Sequence, residues 1–287
     1  MSDASSLDPP RHAVHDAVAR AIAEDLGPLG DVTAALLDSA ARTVADIVVR
    51  ADGVLAGTAC ATEVFAQVDP AVEVTWKAGD GAAVSEKTVA GTVSGSLRSV
   101  LTGERCALNF LCHLSGIATA TRRFVVALDG RARVADTRKT LPGLRALEKA
   151  AVRAGGGVNH RASLSDMVLV KDNHLGGLGI TDAVARARAL WPGRGVEIEC
   201  ERVDQVAEAV EAGADLVMLD NMTPEQAKGC VAVVRERART GILVYLSGGI
   251  TLENIGAFAD AGIDIVSTSA ITQSAPALDI GLDVRVP

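Results

Sequence analysis

Arg138, Lys139, His160, Arg161 and Lys171 crowd one short stretch of this chain with nitrogen donors. From Arg131 to Lys171 nine Lys or Arg stand against three Asp or Glu, in a protein whose overall net charge is -8. A local cationic focus inside an acidic protein suits a small ligand rich in carboxylate or phosphate oxygens, because arginine forks match carboxylates through two parallel bonds. Glu199 and Asp220 supply the opposite sign. Two carboxylates facing cations can hold a Mg2+ that substrate phosphates also bind, or they can be ion-pair partners of the basic residues; the residue types admit both. The run Ser247, Gly248, Gly249, Ile250, Thr251 is of the kind whose N–H groups cradle phosphate at a helix start, although a Gly pair there also serves as a plain turn. A lone histidine is usually structural. His160, flanked by Asn159 and Arg161 and approached by GGGV, reads instead as part of a ligand loop.

Such residues need a scaffold that brings them to one place. Short apolar, β-branched runs recur at ARVAD, MVLV, VEIEC, LVML, ILVYL and DIVST, separated by helical patterns such as LPGLRALEKAAVRAG and VDQVAEAVEAG. Six strand-helix units in succession predict a parallel barrel or a doubly wound sheet. Polar residues follow each run: Thr137, Arg138 and Lys139 after the first, Lys171, Asp172 and Asn173 after the second, Glu197 and Glu199 within the end of the third. Asp220 and Asn221 close the fourth, Ser247, Gly248 and Gly249 the fifth, and Thr268 and Ser269 the sixth. In a parallel barrel these ends open on one face, where barrel enzymes place their sites. Strands buried on both faces exclude charge unless a site requires it. Thr223-Pro224-Glu225-Gln226 carries the N-cap, N1 proline and N3 partner of a capping box. No repeat beyond the strand-helix alternation stands out.

The first half follows another rule. Residues 14 to 26 space their apolar positions as a helix that GPLGD stops; from Thr43 to about Ser99 the period falls to two, with Gly and Asp clusters marking turns. That pattern predicts a mainly antiparallel sheet with helical cover, followed by a long helix in LTGERCALNFLCHLSGIATATRRFVVAL.

Composition closes off other classes. Hydrophobic residues at 48% and charged residues at 22% belong to a globular chain. No apolar run is long enough for a membrane span, and the start MSDASSLDPPRHAVHD is polar, so a cytoplasmic protein is expected. The acidic balance, with aromatics at 2%, argues against a nucleic-acid or anionic-membrane partner. Five cysteines occur singly, which suggests reduced, mostly buried thiols and neither a zinc site nor a disulfide framework.

ADTRKTLPGLRALEKAAVRAGGGVNHR, VLVKDNH, VEIECE and MLDNM closely resemble the quinolinate phosphoribosyltransferase family, as do GERCALNFLCHLSGIAT, EDLGPLGDVT and the closing ALDIGLDV. The resemblance spans nearly the whole chain. It implies an α/β protein: an N-terminal α/β sandwich over residues 1–112, to which 273–287 return, and an incomplete, TIM-like parallel α/β barrel of about six strands over 113–272. It also implies a pentosyltransferase that moves phosphoribosyl from phosphoribosyl pyrophosphate (PRPP) to quinolinate with decarboxylation, making nicotinate mononucleotide for NAD biosynthesis with Mg2+ as cofactor. A homodimer with active sites shared between subunits is implied too, with further assembly to a hexamer left open. Positions matching Arg138, His160, Arg161 and Lys171 would hold the quinolinate carboxylates, and the one matching Arg105 would reach in from the partner subunit. Lys139, Glu199 and Asp220 would be catalytic, serving PRPP, with Glu199 and Asp220 at the metal. Thr137, Lys139, Ser247, Gly248, Gly249, Thr268, Ser269 and Ala270 would surround PRPP and its phosphate. Two positions depart from the family pattern: Tyr245 stands where a glutamate is common, and Ser269 where many members have glycine. A related two-domain family associated with molybdenum transport lacks much of the DTRKTLPGLR, NHR and KDNH set.

Overall fold

The apolar spacing after Pro10 gives helix α1 (Arg11–Leu26), which buries Val14, Ala17 and Val18 along one stripe. A computed structural model describes residues 7–238 and 241–285. These divide into two compact units. One takes the chain up to Arg122, Thr140–Gly156 and everything from Ile271; the other takes Arg123–Lys139 and Gly157–Ala270.

In the first unit the period-two segment forms β1 (Arg42–Val49), β2 (Gly53–Val54), β3 (Glu73–Trp76), β4 (Ala83–Val84) and β5 (Val89–Ser96), interrupted by helix α2 (Thr58–Val68). Alternation sends Ala45, Ile47 and Val49 of β1 inward, while α2 buries Cys60, Ala61, Val64 and Phe65. Helix α3 (Leu97–Leu128) follows, longer at its start than the sequence pattern indicated. It is fastened to the chain around β2 through side chains: Val54 N–H donates to Thr119 Oγ1 at 2.9 Å and Ala56 N–H to Ser115 Oγ at 2.9 Å. Gly116 is required where the returning C-terminal segment passes, because a Cβ there would lie 2.1 Å from the Pro276 carbonyl oxygen.

The division of the chain differs from the expected break at residues 112/113. It falls inside the unbroken α3, and Thr140–Gly156, expected with the barrel, belongs to the first unit. The reason lies in helix α4 (Arg145–Ala154), which buries Leu147, Ala150, Ala151 and Val152 and contacts α1. Polar ties add to it: Arg122 Nε donates to Gly155 O at 2.9 Å, and Arg153 Nη2 to Leu7 O and Asp8 O at 3.2 and 3.0 Å.

The second unit carries β6 (Arg133–Ala135), β7 (Val168–Val170), β8 (Val196–Cys200), β9 (Leu216–Asp220), β10 (Leu243–Ser247) and β11 (Ile265–Ser267). Between them run α5 (Ile180–Leu190), α6 (Val203–Ala212), α7 (Pro224–Arg237) and α8 (Ile255–Ala259). The capping box holds at α7, with Gln226 N–H on Thr223 Oγ1 and Thr223 N–H on Gln226 Oε1. The six strands pair in parallel in the order β6-β11-β10-β9-β8-β7. The first two strands in sequence therefore occupy opposite edges of an incomplete α/β barrel. Back in the first unit, the last strand, β12 (Ile280–Val284), completes an antiparallel sheet of order β12-β1-β5-β3.

Ladder register stacks the barrel's inner side chains in layers. Leu169, Glu197, Leu216 and Leu243 share one layer, and Glu199, Met218, Tyr245 and Ile265 the next. Beyond them, towards the C-terminal ends, Asp220 pairs with Ser247 and Ser267 with Ala135. The opposite, N-terminal ends repeat a device. Asp215, just before β9, accepts Val196 N–H at 2.7 Å and Arg188 Nη2 at 2.8 Å, and that arginine also reaches Gly213 O. Asp264, just before β11, accepts Val244 N–H at 2.7 Å and Arg235 Nη2 at 2.8 Å, and that arginine also reaches Gly262 O. This repeat underlies AGADLVML and AGIDIVST, whose likeness the strand-helix alternation alone did not single out.

Candidate active site

Every candidate residue of the second unit lies at or beside a C-terminal strand end. The NHR motif is set there by strand addition: Val158 N–H donates to Val134 O at 2.7 Å, Asp136 N–H to Val158 O at 3.3 Å, and Ala135 and Val158 form a parallel bridge. Asp136, fully buried, then takes the turn in hand by accepting Asn159 Nδ2 at 2.6 Å and His160 N–H at 2.9 Å. A buried carboxylate with several donors is a stable arrangement, whereas one without them is costly.

This places His160 beside the barrel's inner wall. Its Nε2 lies 2.8 Å from Glu197 Oε2, with the histidine side chain 7% and the glutamate 0% exposed. Tyr245 meets the imidazole edge to face, with centroids 5.4 Å apart. Burial, and secondarily the charge of Glu197, push the Tyr245 phenol up to about 12. It stays protonated near neutrality.

Arg161 follows on the same turn. Burial lowers its guanidinium pKa first and the neighbouring charge of Arg138 lowers it further, against the opposing pull of Glu197, Asp166 and Glu199. Two guanidiniums close enough to oppose each other's charge are stabilised by an anion placed between them. One strand along, Lys171 Nζ pairs with Glu199 Oε2, and Lys171 N–H donates to His174 Nδ1 at 2.9 Å. His174 thus fixes the backbone that carries the lysine, a role that sequence left unassigned.

Asp220 ends β9 and accepts Asn221 Nδ2 at 2.7 Å. Asn221 itself has φ of +53°, and its N–H donates to Ser247 O at 3.2 Å. Gly248, with φ of +90°, must be glycine twice over, since a Cβ there would lie 2.3 Å from Asn221 Oδ1. Thr268 is buried and gives its hydroxyl to Ile250 O at 3.0 Å while accepting Ala270 N–H at 3.2 Å. Its side chain therefore shapes the turn that carries Ser269 and Ala270, both half-buried. Thr137 acts alike on the first turn, where Lys139 N–H donates to its Oγ1 at 3.0 Å and the Lys139 side chain lies exposed.

Arg105 stands apart from these residues in the division of the chain, exposed on α3 in the first unit. Sequence reasoning passed over Asp136, and named Asn159 only as a flank of His160 and Glu197 only as a strand-end charge. The signal for Glu197 was available in its two-residue spacing from Glu199, which puts both on one face of β8.

Among the described residues, no group of three or more His, Cys, Asp or Glu is arranged to hold a metal ion, and no helix is long and apolar enough to cross a membrane. Glu199 and Asp220 come from neighbouring strands, one layer apart. That donor set fits a Mg2+ completed by substrate oxygens and water rather than a closed protein cage. All five cysteines are free, with Cys60 and Cys200 driven to about 12 first of all by burial, so these two thiols are unreactive.

Two family profiles cover the chain: the N-terminal domain of quinolinate phosphoribosyl transferase matches residues 31–115, and its C-terminal domain matches 117–283. The chain belongs to the quinolinate phosphoribosyltransferase family. It is 42% identical over 266 residues to a probable nicotinate-nucleotide pyrophosphorylase [carboxylating] of Synechocystis, covering 92% of this chain and 90% of that protein. The nicotinate-nucleotide pyrophosphorylase [carboxylating] of Mycobacterium leprae is 40% identical over 278 residues, covering 95% and 97%. Among solved structures, the nicotinate-nucleotide pyrophosphorylase of Francisella tularensis superposes with a TM-score of 0.91 at 37% identity, covering 97% of this chain and 98% of the other.

Proposed function

We infer that this chain transfers the phosphoribosyl group of PRPP to quinolinate with loss of CO2, yielding nicotinate mononucleotide and pyrophosphate. Family membership supports the reaction class. The observation that carries the reading is the grouping around Arg161, which feels Arg138, Glu197 and Glu199 at once. Adjacent guanidiniums suit a dicarboxylate, and paired acids on the next strands suit a sugar pyrophosphate with its cation.

In this reading Arg138, Arg161 and Lys171 bind the two carboxylates and hold the pyridine nitrogen towards the ribose anomeric carbon. Orientation of this kind is worth several kcal/mol, about 7 to 11 in favourable cases. Lys139, exposed on the turn after β6, neutralises charge on the departing pyrophosphate. N–H groups of the Ser247, Gly248, Gly249 turn and of the Thr268, Ser269, Ala270 turn receive the 5′-phosphate. Glu199 and Asp220 would hold Mg2+, which when bound withdraws charge from the pyrophosphate oxygens. The nitrogen lone pair forms the bond to carbon and the C–O bond to pyrophosphate breaks. The ring nitrogen, now cationic, stabilises the electron pair left on the adjacent ring carbon when the 2-carboxylate departs as CO2, and a proton then bonds to that pair.

The same reading makes the protein a homodimer in which Arg105 of one subunit serves the other's site, working in the cytoplasm, where unpaired cysteines remain reduced. Incubation of the purified protein with quinolinate, PRPP and Mg2+ should release CO2 and nicotinate mononucleotide in equal amounts. Absence of both products with a folded, PRPP-binding protein would overturn the assignment.

A further inference from the structure

Glu197 sits where the barrel has no use for charge. Its register neighbours in the same inner layer are Leu169 and Leu216, with Leu243 next, and its side chain is 0% exposed. One oxygen, Oε2, meets His160; the other, Oε1, has no hydrogen-bond partner among the described residues. A buried carboxylate satisfied on one side is costlier than the leucine its neighbours would suggest. Something other than packing must keep it there.

We propose that Glu197 is a positioning residue for His160, fixing the imidazole so that its Nε2 carries a hydrogen into the barrel wall and the opposite ring edge is presented to the dicarboxylate substrate. The proposal rests on the reading of function above. When ionised, the Glu197 carboxylate can only accept, so Nε2 then donates, and the neutral tautomer with hydrogen on Nδ1 alone is excluded. Tyr245 then bars the ring from tilting by packing edge to face against it. From the other side Asp136 fixes the His160 backbone N–H at 2.9 Å. Backbone, ring plane and tautomer are thereby set by three different residues, none of them exposed: Asp136 and Glu197 are at 0% and Tyr245 at 6%. Glu197 touches no substrate in this scheme and acts only through the histidine.

The test compares Glu197→Gln and Glu197→Leu with the unaltered enzyme. A glutamine side chain can offer either an acceptor or a donor to Nε2, so the tautomer is no longer dictated. The KM for quinolinate should rise about tenfold or more in both variants, the scale of one hydrogen bond to a charged group, while the KM for PRPP stays near its original value and the melting temperature does not fall. Unchanged quinolinate KM, or equal rises for both substrates, would defeat the proposal. A measurement that needs no variant of Glu197 guards against misfolding: 15N spectra of histidine-labelled wild-type protein, with the His160 signal assigned by its loss in His160→Gln, should show hydrogen on Nε2 at neutral pH. Hydrogen on Nδ1 alone would equally defeat it. Failure of the wild-type protein to form nicotinate mononucleotide would instead strike the functional reading, and the spectra would still judge the tautomer.

Discussion

The two ends of the parallel barrel handle charge in opposite ways. At the N-terminal ends Asp215 and Asp264 each receive a backbone N–H from a neighbouring strand and an arginine from a covering helix. Both of these carboxylates meet an opposite charge. At the C-terminal ends Arg161 is pressed by Arg138, and Glu197 leaves an oxygen unsatisfied. Order at one end serves cohesion, while crowding of like charges at the other stores a demand for an anionic ligand. Barrels in general segregate stability and chemistry in this way, and here the segregation is readable from hydrogen-bond partners.

The contrast can be broken by experiment, beginning at the crowded end. Lys139→Ala should lower kcat by about 10²- to 10³-fold, the scale of one donor to a developing anion, without lowering the melting temperature; a loss below tenfold would remove Lys139 from the chemistry. Arg161→Ala should raise the quinolinate KM roughly 30- to 100-fold, from about 2 to 3 kcal/mol of charge-assisted hydrogen bonding. Because its like-charged neighbour Arg138 is relieved, thermal stability should hold or improve, and calorimetric melting checks that directly. The smallest effect belongs to the orderly end. Burial raises the Asp215 carboxyl, but the bonds from Arg188 and Val196 outweigh it and hold the group below its ordinary 3.8. A depressed folded-state pKa contributes stability above the unfolded value and loses it as pH falls through the folded one. Asp215→Asn should therefore flatten the stability profile below about pH 4, costing roughly 1 kcal/mol at neutrality for a pair this exposed, with turnover per folded molecule unchanged. Urea melts across pH values would show whether the slope persists.

Much of this arrangement was legible in the sequence because two short-range rules cover it. Apolar runs that alternate with helical spacing mark strands buried on both faces, and charges at their ends mark an opening. By that rule Arg138, Lys171, Glu199 and Asp220 stand out in the sequence as strand-end charges, and at strand ends they lie. What escaped depends on partners far along the chain. Glu197 reads as one more strand-end charge until His160 is seen against it, and Asp136 hides inside DTRKT although it organises Asn159 and His160. Thr140–Gly156 looked like the helix of a barrel unit because its spacing is helical; only its contacts with α1 and the amino-terminal backbone assign it elsewhere. Helix α2 was concealed for a local reason, since the short TACATEVFAQV lies within a longer stretch that alternates strongly.

The path of the chain between the two units has a consequence for biosynthesis. The first unit draws on three separate stretches and the second on two, with α3 shared by both. No single scission liberates either one intact, and neither can be made by simple truncation. The sheet begun by β1 is completed only by β12, which follows every strand of the second unit in chain order. Most proteins let their leading domain fold while the remainder is still being made. Here the sheet of the first unit is completed only after the strands of the second have been made, so a chain terminated before β12 would expose the edge of β1 as an open template for mispairing.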